Sequence, residues 1–363
     1  MAPMRAARLV LASACLLAAA ALLAACGGDS DSTEPSGGSG PVAESRPAPP
    51  KADFPEPAGR TLKEVLQIGD KPAERKIEPA AMVFYPGANR YPFGVYEADG
   101  SEVTDAEVAL YMAPVPAVKP GAKSKSGNKG SVAKAEHQAL EQPAIGPFPA
   151  RIESLAADPD FRAQPSAEGP DPASVVYSTA LSFPRKGTWR VAAVVKEDGE
   201  LGGKLLPGAV VVGEFKRIPQ VGQRAPLIST PTAAEAGGDR SQVSTREPPD
   251  TQNKVNYADV LGKEPIVLLF ATPKFCQSRV CGPVVDVAEQ VKQVFGDKAT
   301  FIHMEIYTDN DPNKPTRPQV RAFSLPTEPW LFVINKEGTI VDRIEGAFGV
   351  EELTKAVERV TSE

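Results

Sequence analysis

Two hydrophobic patterns divide the chain. Between residues 61 and 218, apolar and polar positions alternate in short runs bounded by Gly, Pro and Asp, which is typical of strands buried on one face. The runs are AAMVFYPG, NRYPFGVYEADG, AEVALYMAP, ASVVYSTALSFP, GTWRVAAVVKEDGE and GAVVVGEFKRI. Several short strands joined by turns predict an all-β sandwich over 61–218, and Trp189 is expected to fill its core.

From residue 219 the pattern changes to an α/β order. EPIVLLFAT is continuously apolar, as in a strand buried on both faces, and CGPVVDVAEQVKQVFG repeats its apolar positions at helical spacing. A second buried strand (ATFIHMEIYTD), a hairpin (PWLFVINKEGTIVDRIEG) and a closing helix (GVEELTKAVERV) follow. The resulting order is strand, helix, strand, loop or helix, strand, strand, helix, and it predicts an α/β domain over 219–363. Residues 231–256 are polar and irregular and are expected to form a long loop.

Two segments have the composition of unfolded chain. Residues 26–60 are Ser/Gly-rich and then Pro-rich, with few large apolar residues, which predicts a disordered tether. Residues 118–138 carry five lysines among Gly and Ser, which predicts a flexible basic insertion in the sandwich. A contact of this insertion with anionic lipid or an acidic partner is the alternative.

The N-terminus has the parts of an export signal. Arg5 and Arg8 precede an uncharged apolar run over 9–25, which ends in Leu23-Ala24-Ala25-Cys26. This ending resembles the bacterial lipobox. The resemblance implies a signal peptide over 1–25, lipidation of Cys26, and an extracytoplasmic chain that is anchored to a bacterial membrane. An ordinary signal peptide or an uncleaved anchor would be the alternatives.

The cysteine count focuses attention on one pair. Of four cysteines, Cys15 would leave with the signal peptide and Cys26 would carry lipid, so that Cys276 and Cys281 remain to pair with each other. The two histidines do not stand at ligand-like spacing from this pair, and no metal or cofactor is expected. A net charge of −6 without a basic stripe gives no sign of a nucleic-acid partner.

The spacing of the pair constrains its geometry. Residues five apart on a continuous helix are separated by about 7.5 Å of rise, whereas the Cα atoms of a disulfide lie within roughly 7 Å of each other. Cys276 is therefore expected in a loop that folds back over the helix, and Cys281 at the helix N-terminus, where a thiolate is favoured. This position favours Cys281 as the attacking thiol and Cys276 as the resolving thiol. The reverse assignment stays open, since Cys276 can be the more exposed sulfur.

Several motifs point to a family. Cys281-Gly282-Pro283, the VGQRAPLIST segment and Pro329 before WLFVINKEG resemble thioredoxin-like redoxins over about 221–360. The resemblance implies thiol-disulfide exchange with partner proteins and a cis Pro329 that faces the disulfide. Val284 stands where the family has its second cysteine, so Cys276 would replace it. The cysteine spacing also resembles that of Sco-type copper chaperones, but the distant histidine of that branch is missing. The strand segments around 89–112 and FPRKGTWRVAAVV resemble Ig-like modules.

Acidic and basic side chains accompany the predicted redox pair. His303 and Glu305 share one face of their strand, where a buried acid could move protons, and Glu328 directly precedes Pro329 and would oppose a nearby thiolate. Two functions remain open: a membrane-tethered thiol-disulfide oxidoreductase, or a non-catalytic binding lipoprotein in which the disulfide is structural. The first is favoured, because such a short disulfide loop adds little loop-closure stabilisation.

Overall fold

The computed structural model describes residues 43–69, 72–117, 134–164, 171–276 and 278–362. The segment predicted to be a signal peptide (1–25), which includes Cys15, the predicted lipidation site Cys26, and residues 118–133 of the predicted basic insertion lie outside these ranges. No helix within the described ranges is long and apolar enough to span a membrane.

The N-terminal part consists of two antiparallel sheets. In chain order its elements are α1 (Leu62–Leu66), β1 (Lys76–Pro79), β2 (Gly87–Tyr96), β3 (Glu107–Pro114), α2 (134–139), β4 (Ile145–Pro149), β5 (Arg151–Ser154), β6 (Val175–Phe183), β7 (Gly187–Glu197), β8 (Glu200–Leu205) and β9 (Val210–Val212). One sheet has the order β1-β2-β6-β5 and the other β4-β3-β7-β8, with β9 also paired to β7.

The two sheets share one hydrophobic core. Tyr91, Phe93 and Tyr177 of the first sheet are fully buried in the same cluster as Leu110 and Trp189 of the second. The rings of Phe93 and Tyr177 are stacked, and burial of such large aromatic side chains dominates the stability of a core. The predicted two-sheet arrangement and the core position of Trp189 are confirmed.

Some local predictions for this part are wrong. AAMVFYPG is not a strand: β1 precedes it, and the N–H groups of Met82 and Val83 donate instead to the Glu345 carboxylate of the C-terminal part. Strands β4 and β8 were not predicted, because Pro and Gly interrupt their apolar patterns, and β5 was not predicted, because Ile152 is the one apolar residue among its four.

The proposed tether is ordered over its C-terminal half. Arg46 exchanges two backbone hydrogen bonds with Ile152 at the edge of β5, Phe54 is buried, and Tyr111 donates to the Pro55 carbonyl at 2.7 Å. The expectation of a disordered segment up to residue 60 is therefore wrong from residue 43 onward. Composition did not reveal it, because the few apolar side chains of this segment bury themselves against the preformed sheets.

The basic insertion also ends before the predicted boundary. Residues 134–138 belong to α2, and Ala135 and Ala139 are buried against the sandwich. Glu136 lies 3.6 Å from Arg190 of β7. Residues 134–138 therefore form a packed helix, which contradicts the expectation of a flexible loop there.

The C-terminal part is a mixed sheet with helices on both faces. Its elements are α3 (Tyr257–Val260), β10 (Ile266–Phe270), α4 (Cys281–Phe295), β11 (Thr300–Met304), α5 (Pro318–Ala322), β12 (Trp330–Ile334), β13 (Ile340–Glu345) and α6 (Val350–Thr361). The sheet order is β11-β10-β12-β13, with β10 and β11 parallel and the other pairs antiparallel. The predicted element order is confirmed, and this region resembles the thioredoxin fold. Residues 231–256 contain no α-helix or strand, as predicted.

Helices α4 and α6 cover one face of this sheet, and α3 and α5 contribute to the cluster on the other. Leu269 and Val333 point to the first face, and Leu268 and Phe332 to the second, because successive strand residues alternate. The strands are consequently apolar throughout, as the continuous hydrophobic runs indicate.

The N- and C-terminal parts pack tightly against each other. Arg90 of β2 makes a two-pronged ion pair with Glu352 of α6, with both distances at 2.8 Å, and also donates to the Ala347 carbonyl. Arg151 of β5 donates to the same carboxylate. The described residues from 43 onward belong to one compact unit.

Candidate active site around the Cys276–Cys281 disulfide

One edge of the C-terminal sheet collects the residues that the sequence singles out. Strand β10 ends at Phe270, and the chain then forms the loop that carries Cys276 before α4 begins at Cys281. Phe270 pairs with Trp330 at the start of β12, so Pro329 lies at the same edge as this loop. The Glu328–Pro329 peptide bond is cis, as predicted, and Pro329 is buried.

Cys276 and Cys281 form a disulfide with their Cα atoms 5.8 Å apart. Cys281 is the first residue of the 15-residue helix α4, and Cys276 lies in the preceding loop. The predicted fold-back of the loop over the helix is confirmed. Helical geometry begins at Cys281. Pro283 lies in the first turn, where backbone N–H groups have no partner within the helix, so its missing N–H costs no helical hydrogen bond.

The two sulfur atoms have unequal surroundings. Cys281 is fully buried in the cluster that includes Val280 and Val284, whereas Cys276 is partly exposed. The backbone N–H of Cys281 donates to Sγ of Cys276 at 3.3 Å, and Oγ of Ser278 lies 3.2 Å from the same sulfur. The first amide of α4 is thus directed at the sulfur of Cys276. These contacts favour Cys276 as the attacking thiol and Cys281 as the resolving thiol, which is the reverse assignment that the sequence left open.

Two buried glutamates lie near this edge of the sheet. Burial, followed by repulsion from Glu305, raises the pKa of Glu328 to about 8. Burial also raises the pKa of Glu305, although the attraction of His303 and a hydrogen bond from the Thr245 N–H oppose the effect. Glu328 is therefore mostly neutral at pH 7, and it does not place the opposing negative charge that the sequence suggested.

His303 joins a buried ion pair below the loop. Its Nδ1 lies 2.7 Å from Asp250, and its Nε2 lies 3.1 Å from the carbonyl oxygen of Ala271. Burial disfavours the charged ring, but attraction to Asp250 and the hydrogen bond between them outweigh it and raise the pKa of His303. A protonated ring donates from both nitrogens and ties the end of β10 to the loop that contains Asp250.

Sequence reasoning missed Asp250, which lies in the polar stretch before β10. Segments 244–253 run along β11 and α4: Thr245 donates to Glu305, and Arg246 pairs with Asp286 of α4 at 2.7 Å. An Arg and an Asp in a long polar stretch look like surface residues, and only their burial distinguishes them from solvent-exposed charges.

Among the residues that the structure describes, no group of three His, Cys, Asp or Glu side chains is arranged to hold a metal ion. His303 is committed to Asp250 and to the backbone, and both cysteines are committed to the disulfide.

Comparison with known proteins gives only a distant similarity. No protein-family model and no curated protein matches the chain. A thioredoxin-family thiol:disulfide interchange protein from Chlorobium tepidum TLS has 16% identity and a TM-score of 0.28, covering 41% of this chain and 99% of its own. A Chlorobium tepidum structure assigned as the thiol:disulfide interchange protein DsbE has 13% identity and a TM-score of 0.29, covering 39% and 99%. Scores this low carry no argument about activity.

Proposed function

We propose that this protein is a membrane-tethered, extracytoplasmic thiol-disulfide oxidoreductase that exchanges with protein thiols and disulfides through Cys276 and Cys281. The observation that carries the proposal is the inequality of the two sulfurs. Cys276 is partly exposed and receives the first N–H of α4, while Cys281 is buried behind it. A purely structural bond does not require this arrangement.

The exchange begins at Cys276. A thiolate of the partner attacks Sγ of Cys276, the Cys276–Cys281 bond breaks, and its electron pair leaves on the sulfur of Cys281. A mixed disulfide now joins the partner to Cys276. The position of Cys281 at the start of α4 stabilises the leaving thiolate until it takes up a proton.

A second partner thiolate then attacks the partner's own sulfur in the mixed disulfide. Cys276 leaves as a thiolate, beside the Cys281 N–H and the Ser278 hydroxyl. The partner dithiol has lost two electrons to form a disulfide, and the Cys276/Cys281 pair has gained them, with the protons passing from partner thiols to the two cysteines or to water. The same steps in reverse reduce a partner disulfide, so no further oxidant or reductant enters.

Pro329 is assigned a supporting role in this exchange. It lies at the same sheet edge as the cysteine loop, and it brings no N–H group there. A partner segment in the mixed disulfide would run past this edge and pair with the exposed backbone nearby.

A matched pair of cysteine variants tests the proposal. Cys281→Ser and Cys276→Ser would each be mixed with a peptide whose cysteine is disulfide-bonded to glutathione. Cys281→Ser should accumulate a mixed disulfide at Cys276, because no second thiol resolves it. Cys276→Ser should react at least about tenfold more slowly, because burial restricts attack by the remaining thiol.

The competing function is a binding lipoprotein with a structural disulfide. The partial burial of the pair against the core is compatible with it. That function predicts a midpoint potential below about −300 mV and no exchange of the wild-type protein with the peptide disulfide. Those two results together would refute the oxidoreductase.

The membrane tether is tested separately through Cys26. Replacement of Cys26 by Ala should move the protein from the membrane fraction to the soluble extracytoplasmic fraction, while its exchange rate with the peptide disulfide stays unchanged. A Cys26→Ala protein that remains in the membrane would contradict the lipid anchor.

A further inference from the structure

The loop between the two cysteines is bonded to the β-sandwich. Nε of Arg279 donates to the carbonyl oxygen of Asp171, and the N–H of Ala173 donates to the Arg279 carbonyl oxygen at 3.0 Å. Asp171 and Ala173 belong to the segment that leads into β6. One residue of the loop therefore holds the sandwich through both its side chain and its backbone.

The backbone of Arg279 indicates that this contact is specific. Its φ angle is 65°, in the left-handed region that is unfavourable for residues other than glycine. Such a conformation persists only where surrounding bonds fix it. Here the bonds to Asp171 and Ala173 fix the side chain and the carbonyl of the same residue.

Residues of the sandwich also cover the buried cysteine. Leu155, Ala173 and Val176 belong to the same hydrophobic cluster as Val280 and Cys281. The hydrophobic cluster that contains Cys281 is thus built from α4 together with the segments around β5 and β6. The N-terminal part contributes to the core in which Cys281 is buried.

Packing alone does not hold the loop in place. A cavity of about 290 Å³ lies between the loop and the outer face of the first sheet, and it is lined by Ser278, Arg279, Tyr96 and Val176 among others. The loop therefore spans open space at this point. The hydrogen bonds of Arg279 cross from the loop to the sandwich beside this cavity.

We propose that Arg279 is a positioning residue that anchors the cysteine loop to the β-sandwich, keeps Cys281 covered, and so directs exchange to Cys276. The sandwich is then a working part of the redox site and not a separate module. The consequence for exchange rests on the proposed oxidoreductase function. The anchoring itself does not, and it can be measured on the reduced protein without any partner.

Site-resolved alkylation of the full chain tests the anchor. The reduced protein would be treated with iodoacetamide, and the labelling rates of Cys276 and Cys281 read separately from their peptides by mass spectrometry. In the wild type Cys276 should react much faster. Arg279→Ala should raise the rate at Cys281 about tenfold or more, the equivalent of one lost hydrogen bond from a charged donor, and change Cys276 less than twofold.

Two variants control this result. Arg279→Lys keeps a charged donor of similar length and should restore most of the protection of Cys281. Lys274→Ala removes a cation two residues before Cys276, whose side chain lies over the Phe275 ring, and it should leave both rates unchanged. Unchanged protection in Arg279→Ala, or equal deprotection in Lys274→Ala, would overturn the proposal.

A measurement on the wild type covers the case in which Arg279→Ala does not fold. The Ala173 amide should be protected from hydrogen exchange in the oxidised protein, because it donates to Arg279. An unprotected amide would contradict the anchor. If Arg279→Ala exposes Cys281 while the wild type exchanges with no disulfide peptide, the anchor stands and the oxidoreductase function fails. If the wild type exchanges with the disulfide peptide at Cys276 but Arg279→Ala does not change the alkylation rate of Cys281, the oxidoreductase function is supported and the anchor is refuted.

Discussion

Glu328 should destabilise the folded protein at alkaline pH. It lies beside Pro329, its Oε2 is buried without a hydrogen-bond partner, and burial followed by repulsion from Glu305 raises its pKa from 4.5 to about 8. Folding therefore favours the neutral carboxyl group. Replacement by Gln keeps the shape of the neutral acid and removes the ionisation.

The magnitude follows from the pKa shift. The folded pKa lies above the unfolded value, so the unfavourable term is absent below about pH 4.5, grows as the pH rises, and is complete above about pH 8. At about 1.4 kcal/mol per unit, the limit is about 5 kcal/mol. Partial exposure and relaxation reduce this, and we expect Glu328→Gln to gain about 1–3 kcal/mol at pH 8.5 and nothing at pH 4.5.

Urea denaturation of the oxidised protein at pH 4.5, 6, 7 and 8.5 measures the free energies of unfolding. Glu345→Gln is the control, because that carboxyl group is also partly buried and burial also raises its pKa, but it accepts hydrogen bonds from the N–H groups of Met82 and Val83 and from the Thr327 hydroxyl. It should lose about 1–3 kcal/mol at pH 6, where its donors are left unsatisfied. A gain in Glu328→Gln that is independent of pH, or no gain at pH 8.5, would refute this reasoning.

Two further perturbations test the buried charges. Burial lowers the pKa of His303, but Asp250 outweighs burial and raises it, so the stabilisation by the charged ring is complete below about pH 6.5 and is lost as the pH rises through the folded pKa. His303→Gln should therefore lower the free energy of unfolding, measured by urea denaturation, more at pH 6 than at pH 10. An equal loss at both pH values would contradict the charged pair. Arg90→Ala removes the two-pronged partner of Glu352 at the boundary between the sandwich and α6, and it should lower the free energy of unfolding by about 2–3 kcal/mol. A double-mutant cycle with Glu352→Gln should give a coupling energy of at least about 1 kcal/mol. Additive losses in the two single variants would contradict the ion pair.

The chain's local patterns were sufficient for the parts of the fold that depend on near neighbours. Each of three features depends on fewer than twenty consecutive residues: the continuous apolar run of β10, the helical spacing after Cys281, and the hairpin of β12 and β13. The five-residue separation of Cys276 and Cys281 also excluded a continuous helix between them, because a straight helix holds such Cα atoms too far apart. The cis peptide at Pro329 was implied by the resemblance of Pro329 and WLFVINKEG to the corresponding stretch of thioredoxin-like redoxins.

The predictions that failed depended on contacts between distant segments. AAMVFYPG has the alternation of a strand, but Glu345, more than 260 residues later, takes two of its backbone donors. The Pro-rich segment before residue 60 has the composition of a tether, but its Phe54 finds a hydrophobic surface that the rest of the chain creates. The local pattern of a segment indicates which structures it can form. The free energy of ordering the segment depends on the surfaces of the rest of the protein against which it can pack.

The sequence by itself indicated that Cys276 and Cys281 can pair, that Cys281 begins a helix, and that a proline directly precedes a later strand of the same domain. Only the tertiary structure decided which sulfur is exposed, that Glu328 holds its proton near pH 7, and that Arg279 bonds the cysteine loop to the sandwich. Burial and electrostatic environment are properties of groups brought together from more than one segment, as when Asp171 and Arg279 meet across 108 positions of the chain. For this reason no periodicity or spacing within one segment could have specified them.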